Sequence, residues 1–539
     1  MTQDGEQHWW QSAVIYEIYA RSFQDSDGDG VGDLAGILAR VDYLAWLGID
    51  AVWLTPVYPS PMADFGYDIA DYFDIDTLFG TFADFDRLVE ALHSRDIRII
   101  VDFVPNHTSA EHPWFKESRI SRDNPKRDWY IWRDGRPGGA PPNNWQCFLG
   151  GSAWELDRAT GQYYCHSYLP EQPDLNWRNG DVRAAMYDVL RFWLDRGVDG
   201  IRVDVLPQVI KDADFRDDPP NPHYRQGEPA YRRLLPLHSA DQPEAINVTV
   251  KMRQVLEEYP RECLMIGETY LPVDRLAAYY GPNLTGTQLP FNFNLMWVDW
   301  TADAILELIQ AYEAALPPGA WPNWVLGNHD QMRIASRLGP AQARVAMVLL
   351  MTLRGTPTLY YGDELGLEDV AIPPDKLRDP FGLGSPGGIL GRDAQRTPMP
   401  WDKSPNAGFT AGQPWLPLGK EHPALSVEVQ ERDPGSMLSL TRSLLALRRR
   451  EPALSLGDWA PLATTSGALT YTRTRADRRF VIALNLNSMP KVVQFEKDFQ
   501  GVIELSTSAK RAREPLHGRL NLGGDEAAII SAMAVSCRS

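Results

Sequence analysis

Short apolar runs rich in β-branched and aromatic residues alternate with longer amphipathic stretches along most of this 539-residue chain. Eight runs read as strands: 13–20, 51–57, 97–104, 200–205, 263–269, a weak one at 287–293, 323–330 and 356–364. Between them, 34–48, 82–96, 181–197 and 303–316 carry apolar residues every three to four positions, the period of a helix lying on a core. The run "VAMVLLMTL" (345–353) is apolar throughout, yet far short of the ~20 residues that cross a bilayer, so it predicts a buried helix. Strands that alternate with helices make a parallel sheet with crossover helices. Eight such units predict an α/β fold, a (β/α)8 TIM barrel.

Two interruptions and a change of pattern set the domains. Residues 105–178, rich in Pro, Gly, Asn and Trp, are too long for a simple loop and predict a small inserted domain after strand 3. Residues 365–425 form a loop-rich excursion after strand 8. Past a helix at 437–454 the pattern turns to short strands, which predicts a C-terminal antiparallel β-sandwich domain over 456–539. The barrel is then built from 1–104 and 179–455.

Charge narrows the partners. With 53 Lys and Arg against 71 Asp and Glu, the net charge is -18, which argues against nucleic acid and does not suggest anionic substrates. The 18 tryptophans hint at sugar-binding faces, although core packing accounts for much of that load. Four cysteines, at 147, 165, 263 and 537, show no paired or metal-like spacing and fit a reducing compartment. The first residues, "MTQDGEQHWW", lack a basic segment followed by an apolar one. The expectation is a cytoplasmic protein, monomer or homodimer, that acts on a small molecule without a membrane.

One strand carries a puzzle. In "DGIRVDVLP" (199–207), Ile201, Val203 and Val205 share one face, so Arg202 and Asp204 share the other. Ionised groups are costly to bury unless paired or solvated. Either this is a wet edge strand or the charges sit at an active-site mouth. In a barrel the chemistry lies where strands end. The third strand ends with Asp102, then Asn106 and His107; the fourth with Arg202 and Asp204; the fifth with Glu268; the seventh with His329 and Asp330. Any one of these acids could be a cap or a surface group, but together they converge on one mouth. Paired carboxylates of separated pKa are what acid/base and nucleophilic work on acetals requires.

A second acidic stretch, "DSDGDGVGD" (25–33), spaces Asp25, Asp27, Asp29 and Asp33 around glycines, with the Val31 carbonyl between. Oxygen ligands in alternation suit a hard cation such as Ca2+, with Mg2+ as the other candidate and a solvated turn as the plain alternative. It is not a complete EF-hand, since position twelve is Gly36.

"DFVPNHTS", "GIRVDV", "GETY" and "GNHDQ", in that order, resemble the four signature segments of the α-amylase family, glycoside hydrolase family thirteen. "DFGYDIADY", "NNW", "QPDLNW" and "RTPMPWD" resemble its α-glucosidase and oligo-1,6-glucosidase branch. The resemblance runs from about residue 9 to about 405 and implies a catalytic triad: Asp204 as nucleophile, Glu268 as general acid and then base, and Asp330 as transition-state stabiliser. It implies that Arg202 orients Asp204, and that His107 and His329 donate hydrogen bonds to the first sugar. It also implies that Asp64 and Tyr67 close the far end of the pocket, with Asp64 paired to Arg392; an ordinary surface salt bridge is the alternative for that pair. It further implies a structural Ca2+ at 25–33 and no organic cofactor. A retaining pair holds its carboxyls ~5–5.5 Å apart, and the acid should lie drier than the nucleophile.

The implied activity is a retaining, exo-acting α-glucosidase that hydrolyses terminal α-1,4 or α-1,6 bonds of short oligosaccharides, with transglucosylation beside it. Val205, after the nucleophile, leans towards α-1,6 acceptance, although one pocket methyl discriminates by only ~1–3 kcal/mol. Tyr168 stands where relatives have Phe, and Leu149 where an aromatic is common; both positions line the pocket mouth in relatives. The alternative is therefore a glucosyl-transferring or isomerising relative: a trehalose synthase, sucrose isomerase or α-glucosyltransferase. Non-catalytic relatives that lost the acids are a third class, against which this chain keeps all three.

Overall fold

The computed structural model describes residues 7–385, 390–462, 467–508 and 511–532. Cys537 lies outside them. Eight parallel strands form one sheet: β1 Ile15–Ile18, β2 Ala51–Leu54, β3 Arg98–Phe103, β4 Gly200–Val203, β5 Leu264–Gly267, β6 Leu289–Pro290, β7 Asn323–Val325 and β8 Thr356–Tyr360. Their order is β7–β8–β1–β2–β3–β4–β5–β6, which curls the sheet into a nearly closed barrel whose ladder is interrupted between β6 and β7. All eight predicted strands are present, each shorter than its apolar run. The runs continue past the ladders because their last residues are the first of the loops that carry chemistry.

Alternation along each strand sorts side chains to the two faces. Ile99, Val101 and Phe103 of β3 and Ile201 and Val203 of β4 join the large core under the helices, while Ile100 joins the core inside the barrel with Trp53, Leu264 and Ile266. Asp102 and Arg202 take inward places and stand beside each other in the β3–β4 register. The predicted helices are found at Phe82–His93, Gly180–Asp195, Ala302–Ala315 and Met437–Arg450. The buried run lies in Pro340–Thr352, whose apolar residues from Val345 to Met351 are all buried. Residues 34–48 depart from prediction and form two helices, Leu34–Ala39 and Val41–Leu47. The break is Arg40, held out of helical geometry while its guanidinium bonds Gln24 Oε1 at 2.7 Å and stacks 4.1 Å over Trp401.

Between β3 and Gly180 the chain makes a helix at Pro113–Ser118 and a three-stranded antiparallel sheet of 132–133, 162–165 and 154–157, packed around Trp145, Trp154 and Cys165. After Arg450 it makes a six-stranded and a two-stranded antiparallel sheet. Arg473 and Tyr471 bond Thr352, at 2.6 and 2.5 Å, and so tie this part to the barrel. Cys147, Cys165 and Cys263 are free and buried. Among the described residues no helix is long and apolar enough to cross a membrane.

Candidate active site

Backbone bonds across neighbouring strands aim the acids. Asp204 N–H donates to the Phe103 carbonyl at 2.8 Å, and Glu268 N–H to the Val203 carbonyl at 2.9 Å. Each acid is thus the first residue beyond its strand, held in register by the strand before it. Arg202 fills the space between them. Its Nη1 lies 2.6 Å from Asp102 Oδ1 and 2.5 Å from Asp204 Oδ1, and its Nη2 lies 2.9 Å from Glu268 Oε1. Both carboxylates on one planar fork keeps their contacting oxygens within roughly 8 Å of each other. The opening puzzle resolves here: Arg202 is wholly buried and paired to three acids, so the wet-edge reading of this strand fails.

Val205 closes the arrangement. It sits in the left-handed region at φ 38°, which is rare for a β-branched residue, and this turns its N–H onto Glu268 Oε2 at 2.8 Å. Asp102 Oδ2 accepts from Trp53 Nε1 and Tyr67 Oη, each at 3.0 Å. Tyr67 stacks on His329, 5.3 Å between ring centres and 12° apart.

Electrostatics separate the acids into two kinds. Burial pushes Asp204 well above the usual carboxylate range and pushes Glu268 up; Glu268 and Asp102 raise Asp204 further, Asp330 and Asp102 raise Glu268, and Arg202 pulls both down. Glu268 is 2% exposed and Asp204 6%, so the acid is the drier of the two. Burial would raise Asp330 too, but His329, Arg392, Arg396 and Arg202 outweigh it and hold Asp330 far below its usual value. Burial pushes His107 down to about 4 and His329 well down, so both rings are neutral near pH 7.

A second arginine hub stands across the pocket. Arg392 Nη2 meets Asp64 Oδ1 at 2.5 Å and Asp379 Oδ1 at 2.8 Å, and its Nη1 meets Asp330 Oδ1 at 3.1 Å. The predicted Asp64–Arg392 pair is therefore formed, both partners largely buried, as part of a larger cluster. His329 Nδ1 lies 2.5 Å from Glu17 Oε1. His107 has both nitrogens engaged within the protein: Nδ1 with Asn106 Nδ2 at 3.1 Å, and Nε2 with the Tyr67 carbonyl at 3.2 Å. Tyr168 stacks flat on Phe148 at 4.8 Å, and its hydroxyl is raised by burial and then by Asp204 and Glu268, which places it at the mouth. The aromatic expected at Leu149 is supplied one residue earlier, by Phe148.

Sequence reasoning missed several groups here. Asp379 and Arg396 come from the irregular excursion after β8, where no period marks them; Arg396 Nη2 bonds Asp330 Oδ1 at 2.7 Å. Glu17 lies inside an apolar run on β1, the same sign that flagged Arg202. Tyr270 stacks on Phe293 at 4.1 Å, beside a half-exposed Trp297, and its hydroxyl accepts from Asn328. This aromatic face begins two residues after Glu268.

In the 25–33 loop, Asp25, Asp27 and Asp29 bring carboxylate oxygens within 4.8 Å of one another. Asp33 lies outside that group of three and is engaged at the start of the next helix. Its Oδ1 accepts from Gly36 N–H at 2.7 Å, capping the helix at Leu34, and its Oδ2 accepts from Ser26 N–H at 2.8 Å. Asp25 accepts from the N–H groups of Asp27, Gly28 and Gly30 and from the Thr410 hydroxyl. Asp27 and Asp29 each accept one N–H through Oδ1, and Val31 supplies the one on Asp29. Among the described residues no Lys or Arg ion-pairs with any of these acids, so the oxygens fit a hard divalent cation better than an isolated turn.

The chain is 39% identical over 497 residues to a probable alpha-glucosidase of Rhizobium meliloti (strain 1021), covering 89% of this chain and 90% of that protein. It is 38% identical over 527 residues to an oligo-1,6-glucosidase of Parageobacillus thermoglucosidasius, covering 90% and 92%. A crystal structure of an alpha-glucosyl transfer enzyme, XgtA, superposes with a TM-score of 0.92 at 40% identity, covering 98% of this chain and all of that one. A trehalulose synthase structure superposes at 0.88 and 32%, covering 97% and all of that chain. Residues 17–457 match the alpha amylase catalytic domain, and the chain belongs to the alpha-amylase family of glycoside hydrolases.

Proposed function

We propose that this protein is a retaining, exo-acting α-glucosidase of short oligosaccharides. The observation that carries it is the single guanidinium of Arg202 joined to both Asp204 and Glu268, in a pocket closed by the Arg392 hub. Asp204 attacks the anomeric carbon while Glu268 gives its proton to the glycosidic oxygen and the leaving sugar departs. Glu268, now ionised, takes a proton from water, whose oxygen attacks the anomeric carbon and breaks its bond to the Asp204 carboxylate, freeing Asp204 and glucose. Asp330, kept charged by its arginines, binds hydroxyls of the distorted ring. His329 and Tyr67 hold that ring, and Asp64 with Arg392 meets the non-reducing end, so the enzyme removes one terminal glucose at a time. Val205 favours α-1,6 over α-1,4 bonds.

A second reading, glucosyl transfer, rests on the aromatic face of Tyr270, Phe293 and Trp297, which offers a sugar acceptor a surface that water does not need. The Asp25–Asp29 oxygens would hold Ca2+, which would stiffen the loop beneath the strap at 410–415, away from the catalytic acids. Three free buried cysteines fit a cytoplasmic enzyme.

Incubation with maltose, isomaltose, sucrose and trehalose tests the proposal. Free glucose from at least one of them, with retention at the anomeric carbon, is expected; glucose from none overturns it. A new disaccharide that dominates at high substrate favours transfer. Arg392→Ala should cut kcat/KM on the best disaccharide by about 10- to 100-fold, the loss of one charged hydrogen-bonding group.

A further inference from the structure

The excursion after β8 forms an open cleft of about 730 Å3, within the range of small-molecule sites and built wholly from residues 376–423. Its wall contains Lys376, Arg378, Lys403 and Lys420 and no acidic residue among those described. In a chain of net charge -18 this is a reversal of sign confined to one concave spot. The neighbouring Asp375, Asp402 and Glu421 do not line it, and Asp402 is engaged by Ser404. None of the four cationic side chains makes an ion pair or hydrogen bond among the described residues, whereas the arginines of the active site are all committed.

The floor differs from the rim. Trp415 lines the cleft together with Pro405, Pro414, Pro417 and Pro423, an apolar surface beside the cations. The Trp415 indole is held by Ser22 Oγ at 3.0 Å and its other contacts are with Tyr19, Phe65 and Arg21, so it is a fixed wall and not a mobile side chain. Tyr19 in turn stacks on His329, which places the cleft one indole and one phenol from the sugar pocket.

The geometry points to a binding site for a small organic phosphate ester. Lysine is a phosphate binder through point charge, and a phosphate monoester carries about -1.5 to -2 at neutral pH, which needs two or more of these cations. The apolar floor takes the ring of the ester. A polyanionic polymer would need a long basic stripe, and here the four exposed cations are confined to one open cleft instead.

Calorimetric titration of the full chain with adenosine 5′-monophosphate, fructose 1,6-bisphosphate and inorganic phosphate tests this. At least one ester is expected to bind, about tenfold more tightly than inorganic phosphate, which lacks a ring for Trp415. Lys403→Glu with Lys420→Glu should weaken that ester by about tenfold or more and leave disaccharide hydrolysis unchanged. Lys376→Glu with Arg378→Glu is the independent repeat. No heat from either ester at millimolar concentration overturns the proposal, as does unchanged affinity in both double variants.

Discussion

Two acid clusters in this molecule solve the same problem in opposite ways. At the barrel mouth Asp102, Asp204, Glu268 and Asp330 are crowded in a dry site, and Arg202, Arg392 and Arg396 neutralise them. In the loop at 25–33 the acids are held mainly by backbone N–H groups, and no Lys or Arg among the described residues ion-pairs with them. Arginines with fixed forks make a rigid arrangement that holds Asp330 ionised beside Asp204 and Glu268, whose proton affinities burial raises. Backbone donors leave Asp27 and Asp29 with free oxygens and uncompensated charge, which a diffusible cation would supply. Charge repulsion is settled by cationic side chains at the barrel mouth and by backbone N–H groups in the loop.

The largest break in this contrast is Asp204→Ala. It should lower kcat by about 10^4-fold or more while circular dichroism and the melting curve stay near those of the parent, as for loss of a nucleophile. Asp27→Ala with Asp29→Ala should leave kcat near the parent value. Next is Arg202→Met, which strands three buried carboxylates. Denaturant unfolding should show a loss of about 3–5 kcal/mol, far more than the loop double variant.

The pH profile sharpens the comparison further. In the proposed mechanism Glu268 must hold its proton, and burial raises its folded pKa, so activity should fall as pH rises through a value above the usual ~4.3. Glu268→Gln should remove that limb on substrates with activated leaving groups. Asp330 has the opposite sign. Its folded pKa is depressed, so the stability it contributes is present above its unfolded ~3.9 and is lost only as pH falls through the lower folded value. Asp330→Asn should therefore flatten stability below about pH 4. The smallest effect is metal: Ca2+ in ~100-fold excess over its Kd should stabilise by about 2.7 kcal/mol, a rise of a few degrees in Tm that chelator reverses. The Asp27/Asp29 double variant should lose it.

Much of this is legible in the sequence, for a physical reason. Barrel strands are buried on both faces, so a charge such as Arg202 or Asp102 within an apolar run stands out, and strand ends mark the mouth. Glu17 obeyed the same rule and was passed over. Asp379 and Arg396 were not legible from pattern, because the excursion after β8 has no period and only its folding brings it over β7. The capping role of Asp33 was not legible, because oxygen spacing is shared by metal loops and helix caps, and only the fold brings Gly36 N–H onto its carboxylate. The break at Arg40 escaped for a like reason: Gln24 and Trp401, distant in sequence, pull it out of an unbroken apolar stripe.

The central claim is that Asp204 becomes covalently bonded to glucose while Glu268 moves the proton. Incubation with 5-fluoro-α-glucosyl fluoride, followed by proteolysis and peptide mass mapping, tests it directly. The account predicts one fluoroglucosyl group per chain, as an ester on Asp204, absent from Asp204→Ala. An adduct on any other residue, or turnover with inversion and no adduct, would contradict it.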